Sequence, residues 1–258
     1  MKIGVSYNLF DGEELLEGSI NTIRESVDYI SIIYQTTSNF GNECSTDLLP
    51  LLNNLKEKRL IDDLFEYKPN IKMGGSWNEV VKRNLGVNFS LLNKCTHHLA
   101  MDADEYYLQN EFEYMKKIIE EGNYDAAACQ MVTYYKKSIY RLDPKEDYYV
   151  SLLFKINENK EFILGYPFPV EVDPTRRMVS KNCKIFTREE IEMHHLSYIR
   201  KNISSKFNNS SAKVNFMKSI NELIEYYENW EYPNQALMAG KPNKLYDIVE
   251  VKNLFKIY

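Results

Sequence analysis

The sequence predicts an α/β fold, with a Rossmann-like, mostly parallel central sheet and a smaller irregular or antiparallel and helical part toward the C-terminus. Three observations point there. Over the first hundred residues, short β-branched runs alternate with single helical stretches of amphipathic spacing. Beyond about residue 134 the alternation gives way to aromatic runs broken by prolines. The length, 258 residues, corresponds to roughly 1.7 average domains, which suits one large domain or a core with an appendage.

Lys2–Tyr7 reads as a short apolar strand ending in a polar turn, Asn8 to Gly12. Glu13–Ser26 follows as a helix, with Leu15, Leu16, Ile20, Ile23 and Val27 at helical spacing. Tyr29–Tyr34 (YISIIY) is β-branched and aromatic, as a buried parallel strand requires. A polar loop, Gln35 to Asp47, leads to a predicted helix over Leu48–Arg59 and a third strand, Leu64–Tyr67. The turn GGSW precedes a helix from Asn78 to Asn93, and Thr96–Met101 is the fourth strand. Gln109–Glu121 reads as a helix and Tyr124–Thr133 as a fifth strand. Residues 134–190 hold runs such as YYVSLLFKI and FILGYPF, expected as irregular or antiparallel structure beside the sheet. Phe216–Trp230 is predicted as one closing helix. Sheets of this kind bind ligands at the carboxyl ends of their strands. The expected division is a ligand-binding α/β half, residues 1–133, and a second half, 134–258, within one continuous domain.

Composition narrows the function classes. Lys and Arg number 32 against 37 Asp and Glu, a net charge of −5 with a pI near 5.6, which counts against a nucleic-acid grip. Mean hydropathy is −0.47, and no run approaches the ~18 apolar residues of a membrane span. The N-terminus lacks a signal peptide's apolar region and cleavage site, so a cytoplasmic location is expected. Cys44, Cys95, Cys129 and Cys183 are far apart and form no CxxC pair, as small buried hydrophobes in a reducing compartment would be. The sequons at Asn88, Asn202, Asn208 and Asn209 are therefore without meaning. Twenty tyrosines stand out. An AT-rich coding bias would raise their number, as it would Lys, Asn and Ile; alternatively Tyr7, Tyr106, Tyr107, Tyr134 and Tyr135, at predicted cleft edges, offer aromatic faces to a ligand.

The segment HHLAMDADEYY places Asp102, Asp104 and Glu105 just beyond a strand. Bunched acids repel one another unless a cation or fixed donors neutralise them, and oxygen ligands suit Mg²⁺ or Mn²⁺. A solvated acidic turn capping the next helix is the alternative. Upstream stands KRNLGVNFSLLNKC, and the whole block resembles the Arg-Asn-x-Gly … Asp-x-Asp region of nucleotide-sugar-dependent glycosyltransferases of the GT-A fold, family 2-like in particular. Arg83, Asn84 and Gly86 match the helix start, and Asp102-Ala103-Asp104 matches the metal motif. VSYNLFDGEELLEGSI resembles the first strand and loop, where a Tyr-Asn-Glu-like run lies against the nucleotide base, although Phe10–Gly12 lengthen this loop. The resemblance covers roughly residues 2–130.

The resemblance implies a GT-A-type sheet and a divalent ion, Mn²⁺ or Mg²⁺, bridging the donor diphosphate. It makes Asp104 a direct metal ligand, Asp102 a ligand of the metal or the ribose, and Arg83 a nucleotide contact. Ser6, Tyr7, Asn8 and Gln35, at the exits of the first two strands, join them on the nucleotide side. MHHLSYIRK resembles a later element of such enzymes, a histidine ligand followed six residues on by a lysine on the diphosphate, but without the intervening glycine. It implicates His195, with His194 as substitute, and Lys201. His97 and His98 lie on a strand and receive no chemical role. Displacement at the anomeric carbon needs a carboxylate base, and PVEVDPTRRM offers Asp173 or Glu171, although Asp173 also fits an Asp-Pro turn. Arg176 and Arg177 suit a phosphate or an anionic acceptor.

The expected function is a metal-dependent glycosyltransferase moving a sugar, from a UDP-sugar first of all, to a glycan, protein or small-molecule acceptor. Peripheral membrane contact stays open. Three alternatives stand beside it: a catalytically degenerate sugar-nucleotide-binding protein, a glycosyltransferase acting on modified nucleic-acid bases, and a nucleotidyltransferase. The last normally carries a Gly-rich phosphate loop that Gly12 and Gly74-Gly75 do not supply.

Overall fold

A computed structural model describes residues 1–257. The chain begins β1 (Ile3–Leu9), α1 (Glu13–Ile23), β2 (Tyr29–Tyr34), α2 (Leu48–Glu57), β3 (Asp63–Glu66), α3 (Gly75–Leu92), β4 (His97–Asp102). The four strands pair in parallel in the order β3-β2-β1-β4. Asn8 of β1 lies opposite both Ile33 of β2 and Asp102 of β4, so these strands end level with one another.

All seven residues of β1 are buried because both sheet faces are covered. Ile3, Val5 and Tyr7 point into the main core, with Leu16 and Ile20 of α1. Gly4, Ser6 and Asn8 point the other way, toward α3. That contact is close. A Cβ on Gly86 would stand 2.1 Å from Ser6 Oγ, and one on Gly4 would stand 2.2 Å from Ser90 Oγ.

The chain continues through β5 (Glu105–Tyr106), α4 (Gln109–Gly122), β6 (Ala126–Tyr135), β7 (Lys137–Asp143), β8 (Tyr149–Lys155), β9 (Cys183–Ile185) and β10 (Glu192–Tyr198). It closes with α5 (Ile203–Asn209), α6 (Ile220–Glu228), β11 (Ala236–Met238) and β12 (Lys244–Glu250). The twelve-stranded sheet runs β11-β12-β7-β6-β8-β4-β1-β2-β3, with β10 beside β6 and β5, and β9 beside β6. The run YYVSLLFKI is β8, inserted antiparallel between β4 and β6. FILGYPF lies outside every strand.

The closing helix is shorter than the sequence predicts. Phe216 is buried in a second core at φ −137°, outside the helical region, and α6 begins only at Ile220. That second core gathers Tyr135, Tyr198, Phe207, Leu223 and Trp230. The four cysteines are free. Among the described residues no helix is long and apolar enough to cross a membrane.

Candidate functional site

Where β1, β2 and β4 end together, a polar cleft of about 190 Å³ opens. Asn8, Gln35 and Asp102 enter it from the strand ends, Glu79, Lys82 and Arg83 from α3, and Lys206 and Asn209 from α5. Lys82 is buried yet charged, so it must be paired. Its Nζ donates to Gln35 Oε1 at 2.5 Å and meets Glu79 Oε1 at 2.9 Å. Glu79 also accepts from Asn8 Nδ2 at 2.9 Å and Asn39 Nδ2 at 3.1 Å. One carboxylate thus ties β1, the loop after β2 and α3 together. Burial works to raise its pKa, but Lys82 and then Arg83 outweigh it and hold the carboxyl below its ordinary range.

The acids after β4 meet cations rather than one another. Asp102 Oδ2 accepts from Arg176 Nη2 at 2.5 Å, and Oδ1 accepts from Arg83 Nη2 at 3.5 Å. Burial opposes its ionisation, but Arg176 and Arg83 together hold its pKa down. Arg176 also clasps Glu105, with Nη1 to Oε2 at 2.9 Å, while burial pushes that carboxyl up to about 7. Asp104 Oδ2 accepts from Arg200 Nη2 at 2.5 Å, and Lys206 Nζ stands 3.7 Å away. Against the cost of burial, Arg200 and then Lys206 keep Asp104 ionised far below the usual carboxylate range.

His194 and His195 sit on opposite faces of β10, as strand alternation dictates. His194 Nδ1 bonds the Tyr134 hydroxyl at 2.8 Å on the side away from the cleft. His195 faces the cleft, and burial lowers its pKa to about 4, so its imidazole is neutral near pH 7. Its Nε2 lies 3.8 Å from Asp104 Oδ1, and its Nδ1 has no partner. Two ligand atoms at that separation can share one divalent ion at about 2.1 Å from each. Among the described residues no three His, Cys, Asp or Glu side chains form a metal-holding group. Asp102 is turned onto Arg176 and Arg83. Asp104 and His195 are the pair that could hold an ion, which would need its remaining ligands from phosphate and water.

Of the sequence-predicted residues, the cleft brings together Asn8, Gln35, Arg83, Asp102, Asp104, Asp173 and His195. Asp173 Oδ1 accepts from the Thr175 backbone N–H at 2.7 Å and Thr175 Oγ1 at 2.8 Å, so it both holds the turn and borders the cleft. Other expectations need correcting. Ser6 is buried under α3 against His98 Nε2, 3.3 Å away. Tyr7 points into the main core and bonds Ser19 Oγ at 3.0 Å. Tyr106, Tyr107, Tyr134 and Tyr135 are likewise buried, and the cleft's aromatic residue is Phe10. Glu171 is exposed and outside the cleft. Lys201 is exposed beside a neighbouring hollow walled by Glu13, Glu14 and Glu43.

Glu79 and Lys82 were not legible as site residues, although Lys82 adjoins Arg83 in the motif block. Arg200 and Lys206 line the cleft, whereas Lys201 does not. Arg200 reaches Asp104 because Gly12, at φ +77°, leaves space there; a Cβ on Gly12 would stand 1.5 Å from Arg200 Nη1. Arg83 Nη1 is buried and without a partner, an unspent donor on a guanidinium that also borders the cleft.

No protein-family model and no curated protein matches the sequence. Among solved structures, S. aureus TarS aligns over 88% of this chain and 44% of its own, with a TM-score of 0.49 and 10% identity. TarS 1-349 aligns over 88% and 72%, with a TM-score of 0.47 and 12% identity. TarS 1-349 in complex with UDP aligns over 52% of this chain, with a TM-score of 0.39 and 15% identity, and this chain spans 36% of its length.

Proposed function

We propose that the chain is a nucleotide-sugar-dependent glycosyltransferase, with a UDP-sugar as donor and Mn²⁺ or Mg²⁺ as its ion. The observation that carries this reading is the cleft itself. At the carboxyl ends of β1, β2 and β4 it joins the Arg-Asn-x-Gly helix to the Asp-x-Asp turn, with the Arg83 Nη1 donor unspent. Asn8, Gln35 and Arg83 are assigned to the nucleotide, and Asp104 with His195 to the ion. Asp102, held by Arg176 and Arg83, is assigned to the ribose or the ion.

Charge favours an ion. Asp11, Glu79, Asp102, Asp104 and Asp173 face Lys82, Arg83, Arg200 and Lys206, five acids against four bases, with His195 neutral. An arriving diphosphate meets no net positive field there without a cation. When bound, a divalent ion stabilises the charge that develops on the leaving diphosphate oxygen. Asp173 is assigned to take the acceptor hydroxyl's proton as the new bond to the anomeric carbon forms and the bond to the diphosphate breaks. A second cavity of about 550 Å³ shares His195, Lys206 and Ser210 with the cleft and is walled by Tyr148, Tyr198, Phe207, Phe216 and Tyr246. Tyr198, Phe207 and Phe216 are buried in the second core, so the half-buried Tyr148 and Tyr246 are the rings on this wall with faces to offer a sugar, which supports a carbohydrate acceptor.

The test is binding, then turnover. UDP with Mn²⁺ at a hundred times its Kd adds about 2.7 kcal/mol, a Tm rise of some 5–10 °C at roughly 2–4 °C per kcal/mol. Asp104→Asn and His195→Ala each remove most of that rise. No shift with any nucleoside diphosphate, with or without metal, would sink the reading. A shift that survives chelation would assign the diphosphate to Arg200 and Lys206 instead. Binding without release of UDP from any sugar donor would make the chain a sugar-nucleotide-binding protein.

A further inference from the structure

Three segments meet at the mouth of the cleft, and their chemistry differs from the rest of the chain. Residues 36–42, 67–77 and 209–221 together hold Lys68, Lys72, Lys213 and Lys218, with Glu43, Glu66 and Glu222 at their flanks and Glu66 accepting from Thr36 Oγ1 at 2.8 Å. The segments touch. Asn42 Nδ2 donates to Asn209 Oδ1 at 2.8 Å, Lys213 Nζ lies 5.3 Å from the centre of the Phe40 ring, and a Cβ on Gly75 would stand 3.2 Å from Ser211 Cα. Ser38, Asn39, Asn209, Ser210 and Ser211 from the same segments line the cleft.

The outer side of this rim is apolar. Phe40, Ile71, Met73, Trp77, Val214 and Met217 are between 40% and 74% exposed. Scattered single apolar residues are ordinary on a protein surface, but six on three touching segments, interleaved with lysines, form a patch of the kind that marks an interaction site.

We propose that this rim docks the chain on an anionic lipid bilayer, with the apolar side chains at the boundary of headgroups and acyl chains and the lysines on the headgroup charges. A tryptophan beside lysines suits that boundary, where amphipathic rings and snorkelling ammonium groups both settle. A soluble polyanion would satisfy the lysines and leave all six apolar side chains in water. Docked this way, the cleft opens onto the membrane surface, and acceptors presented there come within reach. The proposal does not depend on the donor assignment.

Co-sedimentation with vesicles tests it, comparing phosphatidylcholine alone with phosphatidylcholine containing phosphatidylglycerol. Binding is expected to the mixed vesicles and to be at least about tenfold weaker to the neutral ones. Raised salt should weaken it, and the Trp77 emission should move to the blue on binding. The double variants Lys72→Glu/Lys218→Glu and Trp77→Ser/Val214→Ser should each lower vesicle binding by about tenfold or more. None of these four side chains lines the cleft, so the UDP–Mn²⁺ shift, measured on the same variants, reports both intact folding and the separate donor assignment. The proposal is overturned by no binding to anionic vesicles at low salt. It is equally overturned if polyphosphate competes fully and the serine variant binds like the parent, which would make the partner a soluble polyanion. Self-association without vesicle binding, abolished by the serine variant, would make the occupant a second copy of the chain.

Discussion

Single residues in this cleft are held by charge, and their removal has a sign that can be worked out. Asp104 is buried against Arg200 and Lys206. Asp104→Asn leaves the buried Arg200 guanidinium without its counter-charge and the half-buried Lys206 with one fewer acid beside it, so we expect a loss of about 3–5 kcal/mol in urea denaturation. Asp104→Asn combined with Arg200→Met should recover part of that loss, because the double change removes a charge of each sign. His98 offers a cleaner pH test away from the cleft. It is fully buried between Ser6 and Ser90, and burial, with help from Arg83, lowers its pKa to about 3. The unfolded value is about 6.5. The folded chain therefore refuses a proton that the unfolded chain accepts, so stability is fully present above about pH 6.5 and is lost as pH falls toward 3. The slope from this one group is about 1.4 kcal/mol per pH unit. His98→Gln should reduce the measured slope between pH 6.5 and 4 by that amount. Sequence resolved this scale unevenly. The resemblance offered His195 with His194 as substitute, and only their place on β10 puts the two on opposite faces. Alternation likewise turns Tyr7 into the main core, while Ser6 shares the face of Asn8 but lies further back under α3. Which face is which depends on where the helices pack. The tyrosines at the strand exits went to the cores for the same reason.

At the scale of elements, α3 governs the site because it carries Glu79, Lys82 and Arg83 and lies tightly on β1. Gly86→Ala places a methyl against Ser6 and forces helix and strand apart. We expect a cost of about 1–3 kcal/mol, read by chemical denaturation, together with weaker UDP binding, since the same shift displaces Arg83. The glycine of the Arg-Asn-x-Gly block thus has a packing reason of its own. The elements themselves were legible where periodicity is local: β2 has the predicted bounds, and α1, α2, α4 and β4 begin or end within a few residues of them. Pairing was not legible. Nothing in the run YYVSLLFKI states that it will sit between β4 and β6, because a strand's neighbours are chosen by packing over long separations rather than by its own residues. The closing helix failed for a related reason, since Phe216 is drawn into the second core and its backbone leaves the helical region.

At the scale of the molecule, two apolar clusters are joined by one strand: β6 gives Cys129 and Met131 to the main core and Tyr135 to the second. Opening either cluster disturbs the strand they share, so the chain should unfold as one unit. Trp230 is buried in the second core, and Trp77 is exposed at the rim. In a Trp77→Phe variant, tryptophan emission reports the second core alone, and its urea transition should coincide with that of far-UV circular dichroism; separated midpoints would show two independent units. The net charge of −5 conceals an uneven surface, because net charge sums over faces that never meet the same partner. The same long-range view bears on Gly12 and Arg200, which come from opposite ends of the chain and occupy one space. A side chain at the first evicts the guanidinium of the second, and with it the counter-charge of Asp104. The three positions can therefore change only in concert, so among descendants of this sequence a replacement at Gly12 should travel with a smaller residue at position 200 and a neutral one at position 104.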